Sequence, residues 1–279
     1  MLEISKRNIP VMLLNGRITN KTFYRWNKFP KTSRKIFSLY DLCLAASKES
    51  EINLKKLGAK NVKYLGNIKF CSTVLETIKD SRIKLILNNR NVWCAASIHP
   101  GEEKVILNTH LNLKNKGKNI LTILIPRHIS KSKDILPICQ SLNLKAQVIN
   151  SDKDILKESE ILIVNTIGEM SKYFSLCKNI FMGKSLLKKL IKDGGQNPIE
   201  PAKFGCKIFH GPYVSNFLEI YDYLKNKGIA YEINNENDLT ERLLKNFDQN
   251  STINTKDITE LSRYGEKILS SSINEIMEL

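Results

Sequence analysis

The run Val92-Trp93-Cys94-Ala95-Ala96-Ser97, continued by Ile98-His99-Pro100-Gly101-Glu102-Glu103, decides the fold. Its first six residues are apolar or small with no alternation, as in a strand covered on both faces of a parallel sheet. Pro100 and Gly101 end the strand, and a helix opens from Gly101. Glu102 and Glu103 suit the first turn of that helix, where the dipole favours negative charge.

The same strand-then-helix rhythm extends in both directions. Downstream, residues 121–126, 145–149, 161–164, 179–182, 207–209 and 230–233 read as strands between longer amphipathic stretches. Residues 257–279 read as a closing helix. Upstream, residues 9–14, 41–46 and 61–65 read as three more strands. A helix from Ser47, with Glu49 and Glu51 in its first turn, stops at Gly58. Residues 75–90 form a basic, irregular stretch between the two series. The expected class is therefore α/β: part of one domain over residues 1–80, a complete second domain over 81–256, and a C-terminal helix over 257–279 packing back on the first.

Composition agrees with a folded chain. Hydrophobic residues make up 42% and charged residues 26%, a globular rather than a disordered balance. No apolar run approaches the ~20 residues that cross a bilayer as a helix. The six cysteines (43, 71, 94, 139, 177 and 206) are scattered, without the spacing of a metal site, which fits a reducing, cytoplasmic setting. Lys plus Arg is 44 against Asp plus Glu 28, a formal net charge of +16. That excess favours anionic partners, whether nucleic acid, acidic lipid or phosphorylated substrate. A Lys-rich solvated surface is the plainer explanation.

In doubly wound sheets ligands bind beyond the carboxyl ends of the strands. Five such loops stand out: residues 97–103, 126–128, 165–170, 182–186 and 194–201. The last, Gly194-Gly195-Gln196-Asn197-Pro198-Ile199-Glu200-Pro201, is the most specific. Its glycines let the backbone approach a ligand. Asn197 as cap and Pro198 as first helical residue would open a helix whose free N–H groups seat a phosphate. Glu200 would accept hydrogen bonds from a ribose diol. Alternatively, the segment is a Gly-rich turn starting a structural helix. Arg127 is a phosphate clamp or a salt-bridged surface residue. His99 and His128 have acid–base chemistry available, although lone loop histidines are usually structural.

Taken together, in order, these segments resemble the 3-deoxy-D-manno-octulosonic acid (Kdo) transferases, a GT-B glycosyltransferase family (glycosyltransferase family 30). The resemblance rests on Ser97-x-His99-x-Gly101-Glu102-Glu103, Pro126-Arg127-His128, Asn165-Thr166-x-Gly168-Glu169-Met170, the turn at Gly183 to Leu186, Gly194-Gly195-Gln196-Asn197-Pro198-x-Glu200, and Gly211-Pro212-x-x-x-Asn216-Phe217. Upstream, Asn15-Gly16-Arg17-Ile18-Thr19, Leu57-Gly58-Ala59 and Gly66-Asn67-Ile68-Lys69-Phe70 fit as well.

The resemblance implies a GT-B fold: a partial N-terminal and a complete C-terminal Rossmann-like domain, facing each other across a cleft. It implies transfer of Kdo from CMP-Kdo to a lipid A precursor, without metal or other cofactor. Arg127 and the turn Gly194, Gly195, Gln196, Asn197 would contact phosphate or sugar carboxylate, and Glu200 the ribose. Ser97, His99, Thr166, Gly168, Glu169, Met170, Ser185 and Asn216 would line the donor site. Asn15, Arg17 and Lys69 fall on the acceptor side. The acceptor is a phosphorylated glycolipid, which places the protein peripherally on the cytoplasmic face of the inner membrane.

Two departures matter. The match starts inside the family's N-terminal domain, past its membrane anchor and the region of its proposed catalytic base, a glutamate. The expectation is thus a chain that binds the donor but is a weak or inactive transferase alone: a truncated sequence, a split-gene product working with a separate N-terminal half, or a decayed copy. Lys184 stands where the family has glycine, and Gln196 replaces a common histidine. Two other readings compete: a different GT-B transferase using a UDP-sugar, and a basic nucleic-acid-binding protein. The second would use Arg17, Lys21, Arg25, Lys28, Lys31, Arg34 and Lys35, with Phe23, Tyr24 and Trp26 among them. Aromatic content of 8% with no interleaved basic stripe disfavours it, so nucleic acid is not an expected partner.

Overall fold

The computed structural model describes residues 3–4, 7, 9–72, 87, 89–151, 155–191, 194–249 and 253–279. The domain boundary expected at residue 80, and most of the basic stretch 75–90, lie outside the described residues. In chain order the elements are β1 (Met12–Gly16), α1 (Asn20–Asn27), α2 (Pro30–Phe37), β2 (Leu42–Ala45), α3 (Lys48–Leu57) and β3 (Val62–Lys63). There follow β4 (Asn91–Ile98), α4 (Glu102–Asn115), β5 (Ile120–Pro126), α5 (Ser132–Ser141), β6 (Ala146–Ile149), β7 (Ile161–Val164), α6 (Met170–Leu176) and β8 (Asn179–Met182). The last are α7 (Ile199–Lys203), β9 (Lys207–His210), α8 (Leu218–Asn226), β10 (Ala230–Glu232), α9 (Glu236–Asp248) and α10 (Thr255–Met277).

The chain divides into two compact units, Met1–Thr73 with Thr259–Leu279, and Val74–Ile258. Among the described residues the first holds a sheet of order β1-β2-β3 and the second one of order β10-β9-β8-β4-β5-β7-β6, every pair parallel.

In the first unit, β1 begins three residues later than the sequence suggests. Pro10 has no N–H for a ladder, and the N–H of Val11 donates to the Asp41 carboxylate at 2.8 Å. α3 starts as its cap predicts, with Ser47 Oγ accepting from Ser50 N at 3.0 Å. The C-terminal part of α10 belongs to this unit. Tyr264 meets Phe70 edge-on at 5.0 Å, and Glu275 pairs with Lys63 at 2.5 Å.

In the second unit, β5, β7 and β8 are buried at every position, as two helical layers over a parallel sheet require. Trp93, Leu124, Phe181 and Phe209 join Ile106 and Leu107 of α4 and Leu239 and Leu243 of α9 in one core. Strand β4 has β5 on one side and β8 on the other, so the strand order reverses at β4. That is the switch point at which doubly wound sheets bind ligands.

The first strand of each sheet ends alike. Register slips between Leu13 and Gly16 in β1, where Asn15 has φ 53°, and between Ala96 and Ile98 in β4, where Ser97 has φ 55°. A bulge of this kind re-aims a side chain at the strand end.

All six thiols are free. Burial pushes Cys43 and Cys139 up to about 11, so they are packing groups rather than nucleophiles. Among the described residues no helix is long and apolar enough to cross a membrane, and no group of three or more His, Cys, Asp or Glu could hold a metal ion.

His110 gives the core a pH signature. It stands on α4 with Nδ1 2.9 Å from Thr122 Oγ1 on β5, and burial pushes its pKa down to about 4 from 6.5. Between those values the unfolded chain binds a proton that the folded one refuses, so stability is intact above pH 6.5 and falls as pH drops through the window. The loss at the lower end is roughly 3 kcal/mol. Urea unfolding at pH 7, 5.5 and 4.5 should show this slope in the wild type and a shallower one in His110→Asn; parallel slopes would refute the assignment.

Candidate functional site

The loops after β4, β5, β7 and β8 meet at the C-terminal rim of the large sheet, and one side chain ties two of them together. Glu102, first residue of α4, is fully buried. Its Oε1 accepts from Ser185 N at 2.9 Å and Leu186 N at 3.0 Å; its Oε2 accepts from Lys184 N at 2.7 Å and His99 N at 2.9 Å. The loop after β4 and the loop after β8 are thus fastened across the switch point by one carboxylate. The sequence reading gave Glu102 only a helix-dipole role. Periodicity carries no sign of so distant a contact; a second acidic residue beside one that already satisfies the dipole was the available hint.

Around this tie the backbones pack too closely for side chains. A Cβ on Gly183 would lie 2.6 Å from Ile98 Cα, and one on Gly194 would lie 2.1 Å from Tyr213 O. Gly195 N donates to Lys184 O at 2.6 Å, Tyr213 N to Ser185 O at 2.8 Å, and Asn216 N to Gly194 O at 3.0 Å. Lys184, at the position where glycine was expected, has φ 59°. An L side chain is strained there by about 1–2 kcal/mol, which is the physical preference for glycine at that position.

Ser185 requires a correction. It was expected to line the donor site, but it is fully buried, its hydroxyl donating to Met182 O at 2.7 Å and accepting from Gly211 N at 2.9 Å. It holds the loop instead of facing a ligand.

The remaining loop residues form a second layer. Ser97 Oγ lies 3.5 Å from Met170 Sδ, and Thr166 Oγ1 donates to Glu169 Oε2 at 2.6 Å. Gly168 takes φ 83°, leaving Ile167 beside it 84% exposed. Glu200 accepts from the Ser171 hydroxyl, which fixes its carboxylate on α7 against α6. The helix at this point differs from expectation: it begins at Ile199, Pro198 is its cap, and it is five residues long. Asn197 Oδ1 still accepts from Ile199 N at 3.2 Å. Gln196 is held through its carbonyl by Tyr221 Oη at 3.0 Å. So short a helix brings little dipole to bear on an anion.

Arg127 follows β5, its N–H bonded to Ile98 O at 3.0 Å and its side chain exposed. The rings of His99 and His128 meet edge-on at 5.9 Å beside a cavity of about 140 Å³ lined also by Glu103, Lys131 and Asp134. Burial depresses the His99 pKa, Glu102 opposes this, and Lys184, His128 and Arg127 add to it. Its Nε2 is buried with no partner among the described residues. Arg127, Lys184, His99 and His128 therefore gather at the switch point.

A larger concavity, about 570 Å³, lies at the opposite ends of the strands. There Lys114 pairs with Glu160 and Lys118 with Asp248, each at 2.5 Å, while Arg90 donates to the carbonyls of Ser159 and Ile120. Four of its charged residues are thus engaged, and it lies away from the switch point.

In the first unit the three residues expected on the acceptor side, Asn15, Arg17 and Lys69, lie near one another. Asn15 Oδ1 accepts from Ile68 N at 3.4 Å, while burial and then the charge of Arg17 lower the Lys69 pKa. The loop carrying Arg17 is held by α3, through Ser50 Oγ to Ile18 N at 3.1 Å and Asn53 Nδ2 to Ile18 O at 2.9 Å.

Removing the Glu102 carboxylate strands four amides. Glu102→Ala and Glu102→Gln should each lose about 2–4 kcal/mol in urea unfolding, against under ~1 kcal/mol for Glu103→Gln, whose single bond goes to Gly101 N. Equal effects at both positions would refute the tie.

Residues 1–72 match the family model described as 3-Deoxy-D-manno-octulosonic-acid transferase (kdotransferase). The chain is 33% identical over 268 residues to the 3-deoxy-D-manno-octulosonic acid transferase of Rickettsia typhi, covering 94% of this chain and 55% of that protein. It is 28% identical over 285 residues to the Haemophilus influenzae enzyme, covering 99% and 64%. The chain thus spans little more than half the length of these relatives. Among solved structures, the C-terminal CMP-Kdo binding domain of WaaA from Acinetobacter baumannii has a TM-score of 0.55 at 23% identity, covering 72% of this chain and 97% of that one. Anabaena HepE in complex with UDP reaches 0.64 at 12% identity, covering 100% and 75%. The fold is that of the GT-B glycosyltransferases, and the chain is similar to Kdo transferases along nearly its whole length.

Proposed function

We propose that this chain provides the donor-binding part of a glycosyltransferase that moves Kdo from CMP-Kdo to a lipid A precursor in lipopolysaccharide biosynthesis. The observation that carries this reading is the convergence, at one switch point, of the loops whose motifs resemble the Kdo transferases. In it Arg127 and the segment 194–197 take the phosphate and the Kdo carboxylate. A guanidinium suits both anionic groups as a charge-assisted, bidentate donor. Glu200, oriented by Ser171, accepts from the ribose diol. Ser97, Thr166, Gly168, Met170 and Asn216 shape the walls, and Glu169 holds Thr166 in place.

The acceptor, a phosphorylated glycolipid, meets Asn15, Arg17 and Lys69 in the first unit. A net charge of +16 favours a seat on the anionic cytoplasmic face of the inner membrane, which the protein joins peripherally.

Calorimetry with CMP, CMP-Kdo and UDP tests the donor assignment. CMP should bind and UDP should bind more weakly. Glu200→Ala should weaken CMP about 10-fold, a loss near 1.4 kcal/mol, and Arg127→Ala should weaken CMP more than it weakens cytidine. A folded wild-type chain that ignores CMP, or prefers UDP, would overturn the reading.

A further inference from the structure

One patch of the first unit combines dense positive charge with exposed aromatic side chains. From Arg17 to Lys35 the sequence holds seven cations and no Asp or Glu. Six of them, Lys21, Arg25, Lys28, Lys31, Arg34 and Lys35, are exposed, and none is ion-paired among the described residues. On α1, Lys21, Tyr24, Arg25 and Lys28 recur at helical spacing along the exposed face, while Phe23 and Trp26 turn inward. On α2, Lys31, Arg34 and Lys35 are exposed, while Ser33 and Phe37 are buried. Tyr24 and Phe29 are 68% and 66% exposed.

The patch has a fixed shape. Ser33 Oγ lies 2.6 Å from Trp26 O and 3.0 Å from Phe29 O, and Phe29 N donates to Trp26 O at 3.0 Å. Trp26 packs edge-on against Phe37 at 5.3 Å. The corner between the helices is therefore tied from beneath, and Phe29 stands exposed at its tip.

We infer that the α1–α2 corner is a docking surface for an anionic lipid bilayer, with Tyr24 and Phe29 entering the interface and the surrounding lysines and arginines meeting headgroup phosphates. Charge complementarity selects the occupant: unopposed cations attract an anionic surface, and aromatic side chains at the same level gain by leaving water at the headgroup boundary. The inference deepens the membrane-surface part of the proposed function and is independent of donor binding.

The test uses the whole chain and sedimentation with vesicles of pure phosphatidylcholine or of phosphatidylcholine with 30% phosphatidylglycerol (about physiological salt). The wild type should bind the anionic vesicles at least 10-fold more tightly than the neutral ones. Lys28→Glu/Lys31→Glu and Tyr24→Ala/Phe29→Ala should each lose at least 10-fold, whereas Lys116→Glu/Lys225→Glu, with the same change in net charge, should lose less than 3-fold. Thermal unfolding confirms that each variant is folded, and CMP calorimetry reads the donor site separately, so failure of one reading is distinguishable from failure of the other. Three results would overturn the inference: no preference for anionic vesicles, equal losses in the control, or an unaffected aromatic variant. Tight binding of single-stranded RNA, abolished by the same variants while vesicles are ignored, would assign the patch to nucleic acid instead.

Discussion

A carboxylate kept from water is costly unless its oxygens are met by donors, and Glu102 is met by four backbone amides. Those amides belong to loops that leave neighbouring strands β4 and β8 and would otherwise diverge. Their chain positions, near residue 100 and near residue 185, share no local interaction that would hold them. Once the tie is made, the loop after β8 lies against Ile98 so closely that residue 183 has no room for a Cβ, and the turn at 194–195 lies against the backbone of residues 213–214 under the same restriction. The glycines of the motif are thus consequences of the tie. They allow backbones to close on one another.

This gives the site two layers with different tasks. The inner layer is Glu102, Ser185, Gly183 and the carbonyl of Gln196 held by Tyr221; its polar groups are satisfied within the protein. The outer layer is Arg127, Glu200, Thr166 and the exposed corner at Ile167, carried on strand ends and short helices. A site needs its recognition groups on a support whose own bonds are complete. Here the support is chiefly backbone, which explains how the motif keeps its form while Lys184 occupies a glycine position at the cost of a left-handed φ.

The alternation of apolar runs with amphipathic stretches was enough to read both parallel sheets, because burial on two faces leaves no polar alternation to confuse them. Ser47 and Gly58 marked the ends of α3 for equally local reasons. The errors came where the deciding contact is distant or made by backbone. β1 starts late because Asp41 takes the N–H of Val11. Ser185 turns inward because Gly211, 26 residues along the chain, donates to its hydroxyl, and α7 starts one residue later than its proline suggested. The motif residues of the donor loops were legible only as a set, since each has an ordinary structural reading by itself; which of them bear the load of packing appeared only once the loops were placed together.

The positive charge separates along similar lines. A solvated surface enriched in lysine through composition alone would scatter its cations among carboxylates, as happens where Lys55 meets Glu51, Lys114 meets Glu160 and Lys131 meets Asp134. Such exposed pairs contribute little to stability and point to no partner. Between Arg17 and Lys35 the pattern breaks: seven cations, from an excess of sixteen, stand within nineteen residues without one acid. Mutual repulsion makes that arrangement unfavourable for the isolated fold. The fold nevertheless fixes it with a buried serine and an aromatic pair beneath the corner. Six of those seven cations are exposed and not ion-paired among the described residues, and an anionic surface outside the chain accounts for such a concentration better than composition does.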